Sequence, residues 1–175
     1  MASRPDPTLA DGFLKTSRRL IPQGRKPAQA LLRRSVSSSY YAMFHALARM
    51  CADSLVGTQQ AKRSNKAWVE VYRGLAHTAC LEACKKAHAV NFPQAIKDFA
   101  DAFKQLQEAR HIADYDPTAR FTKSTAEEKP GLAENSIGAL KSVSSKDKTA
   151  FATWVLITSH GAKEARKQTR NTGTR

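Results

Sequence analysis

Five residues, Arg34, Ser38, Tyr41, His45 and Arg49, recur at intervals of 4, 3, 4 and 4 along one stretch of the chain. On a helix they fall within about 80° of one another and form a single polar and aromatic stripe. A solvated helix face normally carries Lys and Glu rather than Ser, Tyr and His set between apolar neighbours. Two readings stay open for this stripe. One is an amphipathic helix whose small and aromatic residues pack a neighbour, and the other is a site. Metal-free RNA cleavage requires a base for the 2′-hydroxyl, an acid for the leaving oxygen and a cation for the phosphorane. His45 can move a proton near neutral pH, and Arg34 or Arg110 can hold phosphate charge. These three are the candidate catalytic residues.

Arg110 is anomalous in its own right. It interrupts the strongest apolar period of the chain, Ile96, Phe99, Phe103, Leu106, Arg110 and Ala113, spaced 3-4-3-4-3. A buried guanidinium needs a carboxylate, and Asp114 lies one helical turn further on. The alternative is an arginine at the solvent end of the stripe, with its stem packed and its head in water. Antiparallel packing of the two helices sets Arg34, Ser38, Tyr41 and His45 facing Arg110 and Asp114. Those six residues are the candidate binding set.

A second set, His77, Cys80, Cys84 and His88, has residue types that suit zinc. One straight helix cannot wrap four ligands around one ion, so neither a metal site nor a cofactor is expected there. There is no Gly-rich phosphate loop, no Gly-x-Ser-x-Gly and no His-Glu-x-x-His.

The elements that must position these residues read as helices. Of the 175 residues 28 are alanine, whereas Val and Ile together number twelve, which favours helix over sheet. A short helix is predicted over Pro7 to Leu20, and a long one from Pro27 to about Leu55 with Leu32, Val36, Tyr40, Met43, Leu47 and Met50 inward. Ser64 caps a predicted helix from Asn65 to Ala87, and another runs from Pro93 to Tyr115. Ser124 with Glu127 resembles a capping box, but Pro130-Gly131 predicts a broken or short helix there. Ser144 or Ser145 caps a last helix bearing Phe151, Ala152, Val155 and Leu156. The expected fold is an all-α, up-and-down bundle of four main helices plus short ones.

The formal charge is +14, and most of the excess lies at the two ends. Residues 1–34 carry eight basic and two acidic residues, and residues 160–175 carry five and one. Such ends add salt-sensitive affinity for phosphate backbones or serve solubility. The segment 160–175 contains no aromatic on which a base could stack. The organisation that follows is a basic segment over 1–26, a bundle over 27–159 and a disordered basic tail over 160–175. No apolar run approaches membrane-spanning or signal-peptide length, and three cysteines imply no disulfide framework. A soluble, cytoplasmic protein with no membrane association is expected.

The segment RRSVSSSYYAMFHAL (33–47), followed far downstream by RHIADYDP (110–117), resembles the HEPN superfamily. Members share a long helix ending in Tyr-Tyr-Ala-x-Phe-His and a later helix ending in Arg-x-x-x-Asp-Tyr. The resemblance covers roughly residues 28–117, and AWVEVYRGLAH and AFATWVL extend it towards small bacterial members. It implies a helical bundle, a homodimer, and a setting in toxin–antitoxin or defence systems, where a nucleotidyltransferase can be the partner. Many relatives cleave RNA, and others bind nucleotides, RNA or proteins without catalysis, so the resemblance implies RNA or a nucleotide as the ligand of the six-residue set. HEPN ribonucleases leave four to six residues between an Arg and the His that follows it. Here Arg73 and His77 leave three residues between them, Arg34 and His45 leave ten, and Arg110 adjoins His111. The expectation is therefore a binding domain for RNA, a nucleotide or a partner protein. The alternative is a metal-independent ribonuclease toxin with a non-standard Arg and His set.

Overall fold

A chain rich in Ala and poor in β-branched residues folds here through helices alone. The computed structural model describes residues 8–22, 24 and 26–157, and the expected tail at 160–175 lies outside them. Among the described residues there are seven α-helices and no strand: α1 (Leu9–Arg19), α2 (Gln29–Val56), α3 (Asn65–Arg73), α4 (His77–Lys85), α5 (Gln94–Tyr115), α6 (Lys123–Ser142) and α7 (Ser145–Ile157). A single 3-10 turn, Ala87–Ala89, follows α4. No described helix is long and apolar enough to cross a membrane.

Helix α2 is the axis of the bundle, packed by α1, α3, α5, α6 and α7. Its inward residues Tyr40, Met43 and Leu47 are fully buried with Ile96, Phe99, Phe103 and Leu106 of α5 and with Phe151 of α7. A smaller cluster at the other end joins Leu32 and Val36 to Ile21, Ala113 and Ala126. Both predicted apolar periods therefore form the core. Helix α1, inside the segment set apart on charge, contributes Leu14 to that core.

Serines on α2 allow α1 to approach closely. Ser17, Ser35 and Ser39 are fully buried. Ser17 Oγ donates to the Ser35 carbonyl at 2.8 Å, Ser35 Oγ to the Ser17 carbonyl at 2.9 Å, and Ser17 and Ser39 hydroxyls meet at 2.7 Å. Every hydroxyl has a partner, so desolvation is compensated. At the far end of α2, Asp53 accepts from Trp68 Nε1 at 2.8 Å and from Arg63 at 3.2 Å. Arg63 also holds the carbonyl of Gly57, whose φ of 111° is accessible to glycine and strained for other residues. The loop after α2 is thereby fastened.

Two helix expectations are corrected. The helix predicted from Asn65 to Ala87 is two helices, broken at Gly74–Ala76. Glycine is the weakest helix former short of proline, and the break turns Leu75 into the core. The interruption predicted at Pro130 does not occur, because α6 runs through it. The proline ring is fully buried, and packing outweighs the lost backbone hydrogen bond. The cap of α6 is Thr122, which accepts from the Thr125 amide at 3.0 Å, rather than Ser124. Ser64 and Ser144 cap α3 and α7 as expected, the latter with Asp147 reciprocating.

Cys51, Cys80 and Cys84 are free thiols in the core. Burial pushes Cys80 up to about 12 and the other two further above the ordinary thiol range. Among the described residues no group of His, Cys, Asp and Glu is arranged to hold a metal.

Candidate functional site

The N-terminal half of α2 carries the stripe, α1 and α5 flank it, and the break at Gly74 delivers the first residue of α4. Phe13, Thr16, Arg34, Ser38, Tyr41 and His45 line one depression of about 380 Å³. A second, of about 490 Å³, is lined by Ala30, Arg33, Arg34, Tyr41, Arg110, Ala113, Asp114 and Tyr115. Arg34 and Tyr41 belong to both, so the two form one groove. All six residues singled out in the sequence line it.

Arg110 is held from several sides. Its Nη2 donates to Tyr41 Oη at 3.1 Å, and its Nε lies 2.8 Å from Asp114 Oδ2. The Nε–H is not aimed at the carboxylate, so that contact is electrostatic rather than a formed hydrogen bond. The guanidinium also lies 5.9, 5.6 and 5.5 Å from the ring centroids of Tyr40, Tyr41 and Tyr115. Burial acts to lower its pKa, but Tyr41, Asp114 and Tyr115 more than offset this and keep it charged. Asp114 accepts a further hydrogen bond at 2.5 Å from Ser37, not from Ser38.

The arginine doublet divides its work. Arg33 donates to the carbonyls of Ala113, Asp116 and Ala119 at 2.6–2.8 Å and so closes the C-terminus of α5. Arg34 is exposed, and among the described residues nothing pairs with it. Arg49, the last residue of the stripe, pairs with Asp53 instead and lies outside the groove lining.

Two histidines share the neighbourhood of Tyr41. His45 stacks on Phe13 at 5.2 Å, and its Nδ1 meets Tyr72 Oη at 2.8 Å. His77, the first residue of α4, meets Tyr40 Oη through Nδ1 at 2.6 Å and packs on Phe44 at 3.9 Å. Burial lowers the pKa of both. The His77 charge adds to the effect on His45, and the Arg110 charge to that on His77. Both are therefore held towards the neutral imidazole. Tyr40 is fully buried, and burial raises its pKa well beyond the phenol range, so it remains a protonated donor.

The sequence reading missed Phe13, His77 and Tyr115. The spacing that sets His77 with Cys80, Cys84 and His88 does not reveal its place, since Cys80 and Cys84 face the core and His88 pairs with Asp101 at the surface. Only the helix break places His77 beside Tyr40. The signal for Tyr115 was present, one turn beyond His111 and at the end of α5. Phe13 carried no local signal, because its role depends on how α1 docks.

No protein-family model, curated protein or solved structure matches this chain.

Proposed function

We propose that this chain is a HEPN-like helical domain that acts in the cytoplasm as a homodimer and binds the phosphate of RNA or of a nucleotide in the groove around Tyr41. The observation that supports this most is the pairing state of the groove's cations. Arg34 is exposed and unengaged among the described residues, Arg110 lines the same groove, and the one carboxylate there, Asp114, is already occupied by Arg110 and Ser37. An anion entering the groove meets uncompensated positive charge. The sequence resemblance supports the dimer and the choice of RNA or nucleotide.

A metal-independent ribonuclease is the second reading, and the histidine pair favours it. His45 and His77 each have Nδ1 fixed by a tyrosine, and both pack on Phe44. In that chemistry one imidazole takes the proton of a 2′-hydroxyl as its oxygen attacks phosphorus. The other, which must first take a proton from solvent to become an imidazolium, protonates the departing 5′-oxygen, leaving a 2′,3′-cyclic phosphate and a 5′-hydroxyl.

Incubation of the full chain with total RNA separates the readings. Retention of intact RNA with an affinity that falls with salt is the expected result. Arg34→Ala is expected to weaken binding about tenfold while shifting stability by no more than about 0.5 kcal/mol. Cleavage that His45→Ala abolishes moves the assignment to the ribonuclease. Neither retention nor cleavage at low salt overturns both.

A further inference from the structure

Three helices enclose the ring of His45. Tyr72 of α3 takes its Nδ1 at 2.8 Å, and Phe44 of α2 packs edge-on at 5.5 Å. Phe13 of α1 lies flat against it, with 5.2 Å between ring centroids and 4° between ring planes. Only this last cover comes from a helix whose hold on the bundle is light. Helix α1 buries two residues, Leu14 and Ser17, whereas α5 buries seven between Ile96 and Ala113. Ser17 is held by hydroxyl and carbonyl contacts, which water replaces at small net loss when two helices part. The tie from Arg18 to Glu134 of α6 joins two side chains that are about half exposed, where an ion pair adds little. Pro22 and Pro27 keep α1 and α2 from joining into one rod. Between them Gly24 turns with a φ of 71°, which glycine adopts without strain.

We propose that α1 is an autoinhibitory strap. Docked, it shuts His45 off with Phe13. Undocked about the Gly24 turn, it bares that ring while the other helices stay folded. Phe13 and Thr16 are the only α1 residues in the lining that contains His45, and Arg34, Ser38, Tyr41 and His45 itself all belong to α2. Lifting α1 therefore removes one wall and leaves the floor intact. The two apolar clusters lose Leu14 and Ile21, and every other buried member keeps its place. A helix that takes so little of the core with it belongs to the part of a fold that opens locally, at a free energy below that of global unfolding. The strap goes beyond phosphate binding and needs no ligand, since it decides which form of the groove a ligand meets.

The test uses the full chain with two readouts, amide hydrogen exchange and the rate at which diethyl pyrocarbonate modifies each histidine. Relative to intrinsic rates, the amides of residues 14–19 are expected to exchange about a hundredfold faster than those of residues 99–106. Leu14→Ala removes the buried anchor of α1. It is expected to speed both α1 exchange and His45 modification by about tenfold or more, with residues 99–106 changed less than about twofold. Phe13→Ala, at a half-buried position, removes the cover directly and is expected to speed His45 about fivefold, while exposed His111 keeps its rate. If α1 and α5 exchange at one common rate, in the wild type or in Leu14→Ala, α1 opens only with the whole bundle and the strap is overturned. If either variant leaves His45 modification unchanged, the docked helix shuts nothing off and autoinhibition is overturned. Neither readout uses RNA, so failure here is distinct from failure of phosphate binding.

Discussion

Helix α2 presents two polar faces that meet opposite fates. Towards α1 it offers Ser35 and Ser39, which Ser17 saturates in a closed, fully buried set of hydroxyl contacts. One register position away it offers Arg34, Ser38, Tyr41 and His45, which line an open groove and retain unused bonding capacity. The residue types overlap and the helix is the same. Polar groups that satisfy one another hold structure together, whereas polar groups left with spare valence are available to a ligand.

The sharpest way to break this contrast is on the closed face. Ser35→Leu adds volume where α1 and α2 touch and removes the Ser35 hydroxyl from the Ser17 hydroxyl and carbonyl. It is expected to cost about 2–4 kcal/mol by denaturant unfolding, from overpacking plus the lost hydrogen bonds of the Ser35 hydroxyl. Asp114→Ala tests the boundary between the faces, since it removes a partner of both Arg110 and Ser37. The side chains of Arg110 and Asp114 remain 19% and 21% exposed, so water screens what is left, and the loss is expected to be about 1–3 kcal/mol. The smallest effect is expected from pH. His45 and His77 titrate below their ordinary range in the folded chain, so the unfolded chain binds protons first. Stability is then full above the ordinary histidine pKa and declines as pH falls from there towards the lowered folded values. Melting curves between pH 8 and about 5 measure this, and His45→Gln together with His77→Gln is expected to flatten the slope.

The stripe on α2 and the interrupted period on α5 were legible because both helices are long and each buries one continuous face. Ser37 rather than Ser38 on Asp114 was not legible, since adjacent serines differ only by helix rotation, which the whole bundle sets. Spacing alone put Arg34 rather than Arg33 on the stripe, but the work of Arg33 was not legible. It caps the carbonyls of α5, a task set entirely by the partner helix. Pro130 shows local preference pointing the wrong way when burial decides, since its buried ring keeps α6 continuous, whereas at Gly74 preference and burial agree on a break that puts Leu75 in the core. The place of His77 beside Tyr40 and Tyr41 is a product of that break, and so was invisible in a helix read as unbroken from Asn65 to Ala87.

The three core thiols have a practical consequence. Cys51, Cys80 and Cys84 are each no more than 1% exposed, and burial holds all of them protonated at neutral pH, whereas oxidants and alkylating reagents attack the thiolate. Chemical modification of these sulfurs therefore has to wait for the bundle to open. They come from α2 and α4, two helices whose relative placement depends on the turn at Gly74. The protein thus carries an internal clock, in which each modified sulfur records an opening of the core that no probe on its surface would register.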